Sequence, residues 1–262
     1  MMFLEQNAAP SGQPVLAISQ PMHAWIAGQL VRAWASELDA ALVLAAEQHD
    51  IAWLDWEAAP SFDPRTGRPH LFRDVGAAIH APMWAQGVDR ALAAWGSHVA
   101  LLVSRHGGVI YMRFTDRHRL APADAEAASA YLRRQAPLEA EWSRELGLDD
   151  GRLAYESSLI AFADALSLGL CGELATPLDL TLLDSKGSQQ EFQLCSSGQP
   201  CEFTLSPWPF RGHDLVLTGE ARALPAGGCP NEATMRNWLA SPKRVPLRIR
   251  LRASHEARQL RG

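Results

Sequence analysis

The sequence predicts a mainly α fold: a helical bundle over residues 15–173 with a small β-rich (α+β) region appended over 174–262. Three observations carry this. Up to Cys171, apolar residues recur at helical spacing in segment after segment. Tyr155 to Cys171 is apolar almost all round, as a central buried helix is. Beyond Glu173 the period shortens to two, with Leu178, Leu180 and Leu182 alternating with Asp179 and Thr181.

Composition sets the bounds. The 262 residues are 47% hydrophobic and 20% charged, enough for a sizeable core. A net charge of −5 and a pI near 6.0 argue against nucleic acid as a partner. No run of about 18 apolar residues occurs, so no membrane span is expected. Met1 to Pro14 lacks the basic start and apolar block of a signal peptide and is expected to fray. Four cysteines are too few for a disulfide scaffold, although Cys195 and Cys201 flank a turn and could face each other across a hairpin. The expectation is a reduced, cytoplasmic protein, with homo-oligomerisation left open.

Taken in order, Val15 to Ile18 suits a short strand and Pro21 a helix start. His23, Ala27, Leu30, Val31 and Trp34 share one face of the helix that follows, expected to reach about Leu38, so His23 points inward. A second helix, from about Asp39 to Asp50, carries Leu42, Ala45, Ala46 and His49 inward. The Trp-rich stretch Ile51 to Glu57 leads into a long loop to Gly76, and loops of that length tend to be lids or binding loops. Arg65, Arg68 and Arg73 give it a cationic side that could meet an anionic small molecule or simply be solvated.

A third helix is expected from Gly76 to Trp95, with His80 and Trp84 on one side, and a fourth from Ser97 to His106, ended by Gly107-Gly108. His98 reads as a capping or surface residue. Ala121 to Gly147 is a charged amphipathic helix with Pro137 as a break or kink. In the apolar helix after it, Asp164 is the only ionisable group for two turns on either side. Such a carboxylate must be neutral, paired or bound to a metal, because a lone buried charge costs several kcal/mol. A helix over Asn231 to Ala240 and a strand over Val245 to Leu251 close the chain, and Arg248, Arg250 and Arg252 read as a solvated strand face.

One constellation carries chemistry: His23, the doublet His49-Asp50, His80, His106 and Asp164. Imidazole and carboxylate donors suit iron, manganese, zinc or magnesium. Asp50, in the middle of the set, is the natural bridge between two ions. The expectation requires Asp164 to face inward and His80 and His106 to share a cavity.

This ordered set resembles the HD-domain superfamily, which is named for its adjacent His and Asp. The resemblance implies an all-helical core from roughly Gln20 to Cys171, with His23, His49, Asp50 and Asp164 around one metal and His80 and His106 around a second. Ala163-Asp164-Ala-Leu-Ser167 is similar to that family's last-helix motif. Ile51-Ala52-Trp53 stands where two-metal members often carry Gly-Lys, so Arg105 or Arg68 would supply the cation. More narrowly, Gln20-x-x-His23, His49-Asp50-x-x-Trp53, Asp63-Pro-x-x-Gly67-Arg-Pro69, Ser104-Arg-His106 and Ser206-Pro-Trp-Pro-Phe210 resemble an uncharacterised bacterial family defined only as a domain of unknown function.

The wider resemblance implies a metal-dependent hydrolase of a phosphate ester, working through two divalent ions, iron or manganese. Asp50 would hold both ions and Arg105 would steady developing charge, with Arg65, Arg68 and Trp53 binding substrate. A mixed-valent di-iron oxygenase would use the same six ligands. A non-catalytic metal- or nucleotide-sensing module is the third reading.

Overall fold

The two helices that lead to His23 and to the His49-Asp50 doublet each start on a side-chain cap. In the computed structural model, which describes residues 1–4, 14–114, 120–184 and 186–254, α1 spans Gln20–Arg32. The Ser19 hydroxyl accepts the Met22 N–H at 3.2 Å, and Pro21 occupies the first turn, where its missing donor costs nothing. Helix α2 (Ala40–Gln48) is capped by Asp39, whose carboxylate accepts the Ala41 N–H. It stops short of the doublet, so His49 closes the helix and Asp50 leads into a 3-10 turn over Ile51–Trp53.

The Trp-rich stretch continues as α3 (Leu54–Ala58). The expected long loop is partly built, with β3 (Phe62–Asp63) pairing β4 (Arg68–Pro69) as a small hairpin. Its tip is clamped to the 228–229 segment: a Cβ on Gly67 would fall 2.7 Å from the Cys229 carbonyl oxygen. Helix α4 (Ala77–Trp95) and α5 (Ser97–Val109) follow, joined at Gly96. Gly107 and Gly108 do not end α5, which passes into a π-helical turn over Ile110–Phe114. Gly107 gives close packing: a Cβ there would meet Tyr131 Oη at 2.6 Å and Trp84 at 2.8 Å. Helix α6 (Pro122–Leu146) carries Pro137 inside it and ends at the left-handed Gly147. Helix α7 (Asp150–Leu170), capped by Asp149, is the one described helix long and apolar enough to cross a membrane, and most of it is buried inside the fold.

The strands correct the expected fold class. This is an α+β protein with a seven-stranded mixed sheet, not a mainly α bundle with a small β appendage. The strands are β1 (Met2–Leu4), β2 (Val15–Ile18), β5 (Leu178–Leu183), β6 (Gln189–Ser196), β7 (Glu202–Ser206), β8 (Asp214–Leu224) and β9 (Val245–Ala253), with α8 (Glu232–Ala240) between the last two. Their order across the sheet is β1-β2-β8-β9-β7-β6-β5, antiparallel except for the parallel pair β7–β9. The N-terminal strands join it because β2 pairs with β8, Leu16 opposite Ala223. Periodicity marks a strand but not its partner, and here the partner lies some two hundred residues away.

The start of the chain also departs from expectation. Met2–Leu4 is an edge strand, and Met1 and Met2 are fully buried; the rest of the stretch expected to fray lies in 5–13, outside the described residues. One apolar cluster joins the layers, with Phe192, Leu194, Leu217, Ile249 and Leu251 of the sheet packed among Leu30, Phe162 and Leu166 of α1 and α7. Cys195 and Cys201 are both free thiols.

Candidate metal centre

Four segments bring five of the six singled-out residues together: the first turn of α1 (His23), the end of α2 (His49 and Asp50), α5 (His106) and the middle of α7 (Asp164). Close helix packing makes this possible. A Cβ on Gly28 of α1 would run into Glu47 of α2, reaching its Cα at 3.0 Å, and the His23 and His49 rings meet edge-on at 5.0 Å. The His49 and His106 rings are 4.7 Å apart, with Trp84 against His106 as a wall.

Hydrogen bonds decide which nitrogen His23 and His49 offer. His49 Nδ1 lies 2.8 Å from the Ala46 carbonyl, which can only accept, so that nitrogen carries the proton and Nε2 faces the cluster. His23 is held the same way. Ser167 gives its hydroxyl proton to the Asp164 carbonyl at 2.8 Å, so its oxygen accepts from His23 Nδ1 at 2.7 Å. His23 Nε2 is then left 2.7 Å from Asp50 Oδ2. Metal-ligating histidines are commonly oriented in this manner, by a partner on the nitrogen away from the ion.

Asp164 is the hub. Its Oδ1 lies 3.5 Å from His49 Nε2 and 3.6 Å from His23 Nε2, and its Oδ2 lies 3.7 Å from His106 Nε2. The second carboxylate adds Asp50 Oδ2 at 3.8 Å from His49 Nε2. One donor atom from each of His23, His49 and Asp164 fits within 4.8 Å, as does one from each of His49, Asp50 and His106. Asp164 keeps 20% side-chain exposure, against 5% or less for the other four, so solvent reaches the cluster most easily there.

Burial and charge pull these groups apart. Burial alone would lower the His49 pKa, but the Asp50 and Asp164 carboxylates outweigh it and push the imidazole up to about 9. His106 goes the other way, down to about 4, through burial first and then the neighbouring His49. Burial would raise Asp164, yet the surrounding imidazoles of His49, His106 and His23 hold its carboxyl well below the usual range.

The donor set fits a metal. His49 Nε2 and His106 Nδ1 are buried without a hydrogen-bond partner, and a buried polar atom in that state is costly unless something else satisfies it. Two donors each about 2.0–2.1 Å from one ion stand roughly 3.0–3.4 Å apart. The nitrogen–oxygen separations around Asp164 come within a few tenths of an ångström of that, too long for strong hydrogen bonds.

The other expected residues take different places. His80 belongs to neither donor group; its ring stacks on Tyr111 at 5.4 Å and tilts against Trp53 at 5.9 Å. Trp53 itself is buried among Trp56, Phe72 and His80 as a wall, not an exposed platform. Arg105 turns to the α6 side, donating to Ser157 Oγ at 2.9 Å and standing 3.8 Å from Glu139. Arg65 is largely exposed and pairs with Asp63. Arg68 donates to the Ala226 carbonyl, lies over the Phe3 ring and lines a cavity of about 780 Å³ shared with Asp74, Glu173 and Cys201. None of the five clustered residues lines that cavity.

Ser167 stood in the sequence only as part of a motif, and its hold on His23 needed coordinates. Glu57 was missed: it is buried, accepts the Gln20 N–H at 3.0 Å and has its pKa raised by burial, with Asp50 adding to the rise. A carboxylate in a Trp-rich stretch was its one signal, shared with Asp55. His98, expected near the surface, donates to the buried Glu156 at 2.8 Å.

A family model described as "Protein of unknown function (DUF3891)" matches residues 9–226. The chain belongs to that family. The DUF3891 match runs from ahead of β2 into the loop after β8, so it contains all six residues of the ordered set and leaves out α8 and β9. No curated protein and no solved structure matches the chain.

Proposed function

We propose that this DUF3891 protein is a metal-dependent hydrolase of phosphate esters, its centre built from His23, His49, Asp50, His106 and Asp164. The observation that carries the reading is His49: its Nδ1 is fixed by a backbone carbonyl, and its buried Nε2 confronts two carboxylates with no hydrogen bond to satisfy it. The two donor groups share His49, whose one free nitrogen can ligate a single ion, iron or manganese, and Asp50 would be the carboxylate that bridges to a second. A bound divalent ion supplies Lewis acidity, polarising a phosphoryl oxygen and acidifying water. The chain's own part is to orient the imidazoles through Ser167 and Ala46, to place the carboxylates, and to wall the centre with Trp84 so that water enters beside Asp164.

The phosphate ester is supported by the resemblance of the ordered set to HD-type enzymes, an argument from analogy. A cytoplasmic setting belongs to the same reading, in keeping with four free thiols.

Elemental analysis of the purified protein and of Asp50→Ala, followed by turnover of p-nitrophenyl phosphate with manganese or iron, tests this. The wild type should hold metal and hydrolyse the ester, and the variant should do neither. A folded Asp50→Ala protein with full metal content would overturn the centre. Iron showing the paramagnetic signal of a half-reduced pair, without esterase activity, would turn the assignment to an oxygenase.

A further inference from the structure

We propose that the outer face of the sheet carries an anion-binding site, built on Arg222 and Arg244 with Arg248 beside them, that takes a phosphate or a phosphate monoester. The site does not depend on the hydrolase reading, because it lies across the sheet from the helices that carry His23 and Asp164. Leu217, Leu247, Ile249 and Leu251 pack into the core shared with α1 and α7. Residues alternate between faces along a strand, so Arg222 on β8 and Arg248 on β9 belong to the face turned away from that core.

Strand register brings the two leading arginines together. Ala221 pairs with Val245, so the next step of the antiparallel ladder sets Arg222 against Arg244. Like charges placed directly opposite one another on a sheet are destabilising. On its other side Arg222 pairs with Ala17, and it shares a face with Leu224; both neighbours pack into a small apolar cluster closed by Met235 and Leu239 of α8. Arg222 is therefore half-buried at the rim of that cluster, and its Nε is sealed from solvent with no acceptor. Burial, and then the charge of Arg244, lower its pKa, with Glu57 opposing them.

Pairing elsewhere in the molecule sets this end of the sheet apart. Arg32, Arg90, Arg134 and Arg152 on the helices each meet a carboxylate, and on β9 Arg252 lies 3.9 Å from Glu202. Among the described residues, Arg222, Arg244 and Arg248 make no ion pair. Glu220 shares their face, opposite Pro246, but pairs with none of them. Arg244 donates to the Ser241 and Lys243 carbonyls, which hold its guanidinium at the turn into β9 and leave its charge unneutralised. Two guanidiniums set side by side without a counter-charge, one of them with a sealed N–H, suit a phosphate group. Its oxygens accept from both at once and match the planar fork of arginine.

Titration calorimetry of the whole protein with inorganic phosphate, at ionic strength held constant with chloride, tests this. The wild type should bind phosphate, and Arg222→Gln and Arg244→Gln should each weaken binding at least about tenfold, the loss of one charge-assisted hydrogen bond. Arg144→Gln, which removes an exposed charge from α6, should bind as the wild type does. Thermal melts without phosphate give a second readout. Arg222→Gln should melt no lower than the wild type, since it removes an unanswered, half-buried charge. Phosphate held at the metal centre would be indifferent to these arginines, so equal affinity in the wild type and both variants overturns the proposal. Absence of binding at about 10 mM phosphate overturns it as well. A lower melt of Arg222→Gln together with undiminished binding by Arg244→Gln would assign Arg222 to packing and leave no site.

Discussion

Ser167 Oγ sits 2.7 Å from His23 Nδ1 while its own proton goes to the carbonyl of Asp164, three residues back. One hydroxyl thereby fixes the ring of a histidine on α1 from the helix that carries the hub carboxylate.

Removing that hydroxyl should leave the fold intact and loosen the centre. Ser167→Ala is expected to bind metal on the order of 10–100-fold more weakly than wild type, the usual effect of losing an outer partner. Competition against a chromophoric chelator measures it. Unchanged affinity would mean that the orientation of His23 does not matter to binding.

Metal uptake should be pH-dependent through His49. With its pKa at about 9, the metal-free imidazole is protonated at neutral pH, and coordination at Nε2 requires that proton to leave. Apparent affinity should therefore climb with pH, about tenfold per unit for one proton, and level off near 9. A flat profile from pH 6 to 9 would remove His49 from the ligands.

Stability of the metal-free protein should run the opposite way. His49 has a folded pKa above its ordinary 6.5, so its contribution is complete below about 6.5 and fades as pH rises through about 9. His106, lowered to about 4, costs stability as pH falls from 6.5 towards 4. Thermal melts in chelator should thus peak between these limits, and His49→Gln should flatten the alkaline side.

Gly107→Ala should destabilise the protein by about 1–3 kcal/mol, because the added methyl meets Tyr131 and Trp84 in a packed interior. Gly187→Ala is no fair control, since its backbone is left-handed; Gly227→Ala, with open space at its Cβ, is. Urea midpoints of the two variants should separate clearly.

Glu156 joins α5 to α7 by accepting from His98 at 2.8 Å and from Arg152 at 2.8 Å. Burial would raise its pKa, but those two partners hold it below the usual range. Its stabilisation is therefore present above about 4.5 and lost as pH falls. Glu156→Gln should cost on the order of 2 kcal/mol at pH 7 and much less at pH 4, by urea denaturation.

Much of the site was legible because local rules governed it. Spacing alone turned His23 inward, and the isolation of Asp164 in an apolar helix required a partner, which three histidines supply. The place of His80 was not legible, because helical spacing fixes a face but not which neighbour it meets, and Tyr111 took that ring. Arg105 shows the same limit: one residue before His106, it faces Glu139 and Ser157. For the fold, the period-two runs after Glu173 were plain, but the pairing of β2 with β8 depends on contacts that no local pattern encodes. Gly107 misled for a related reason, since the signal that ends a helix is the same residue that lets two helices touch.

The pairing of β2 with β8 has a consequence for how the protein is made. His23 follows β2 by only a few residues, yet the strand that anchors β2 is not synthesised until residue 224. During translation the first histidine therefore waits, tethered to an unpaired edge, while the other four donors emerge and their helices collapse. On the metal-centre reading, assembly of the pocket is a long-range event that cannot begin before α7 is made, and its first strand is locked in place only once β8 follows.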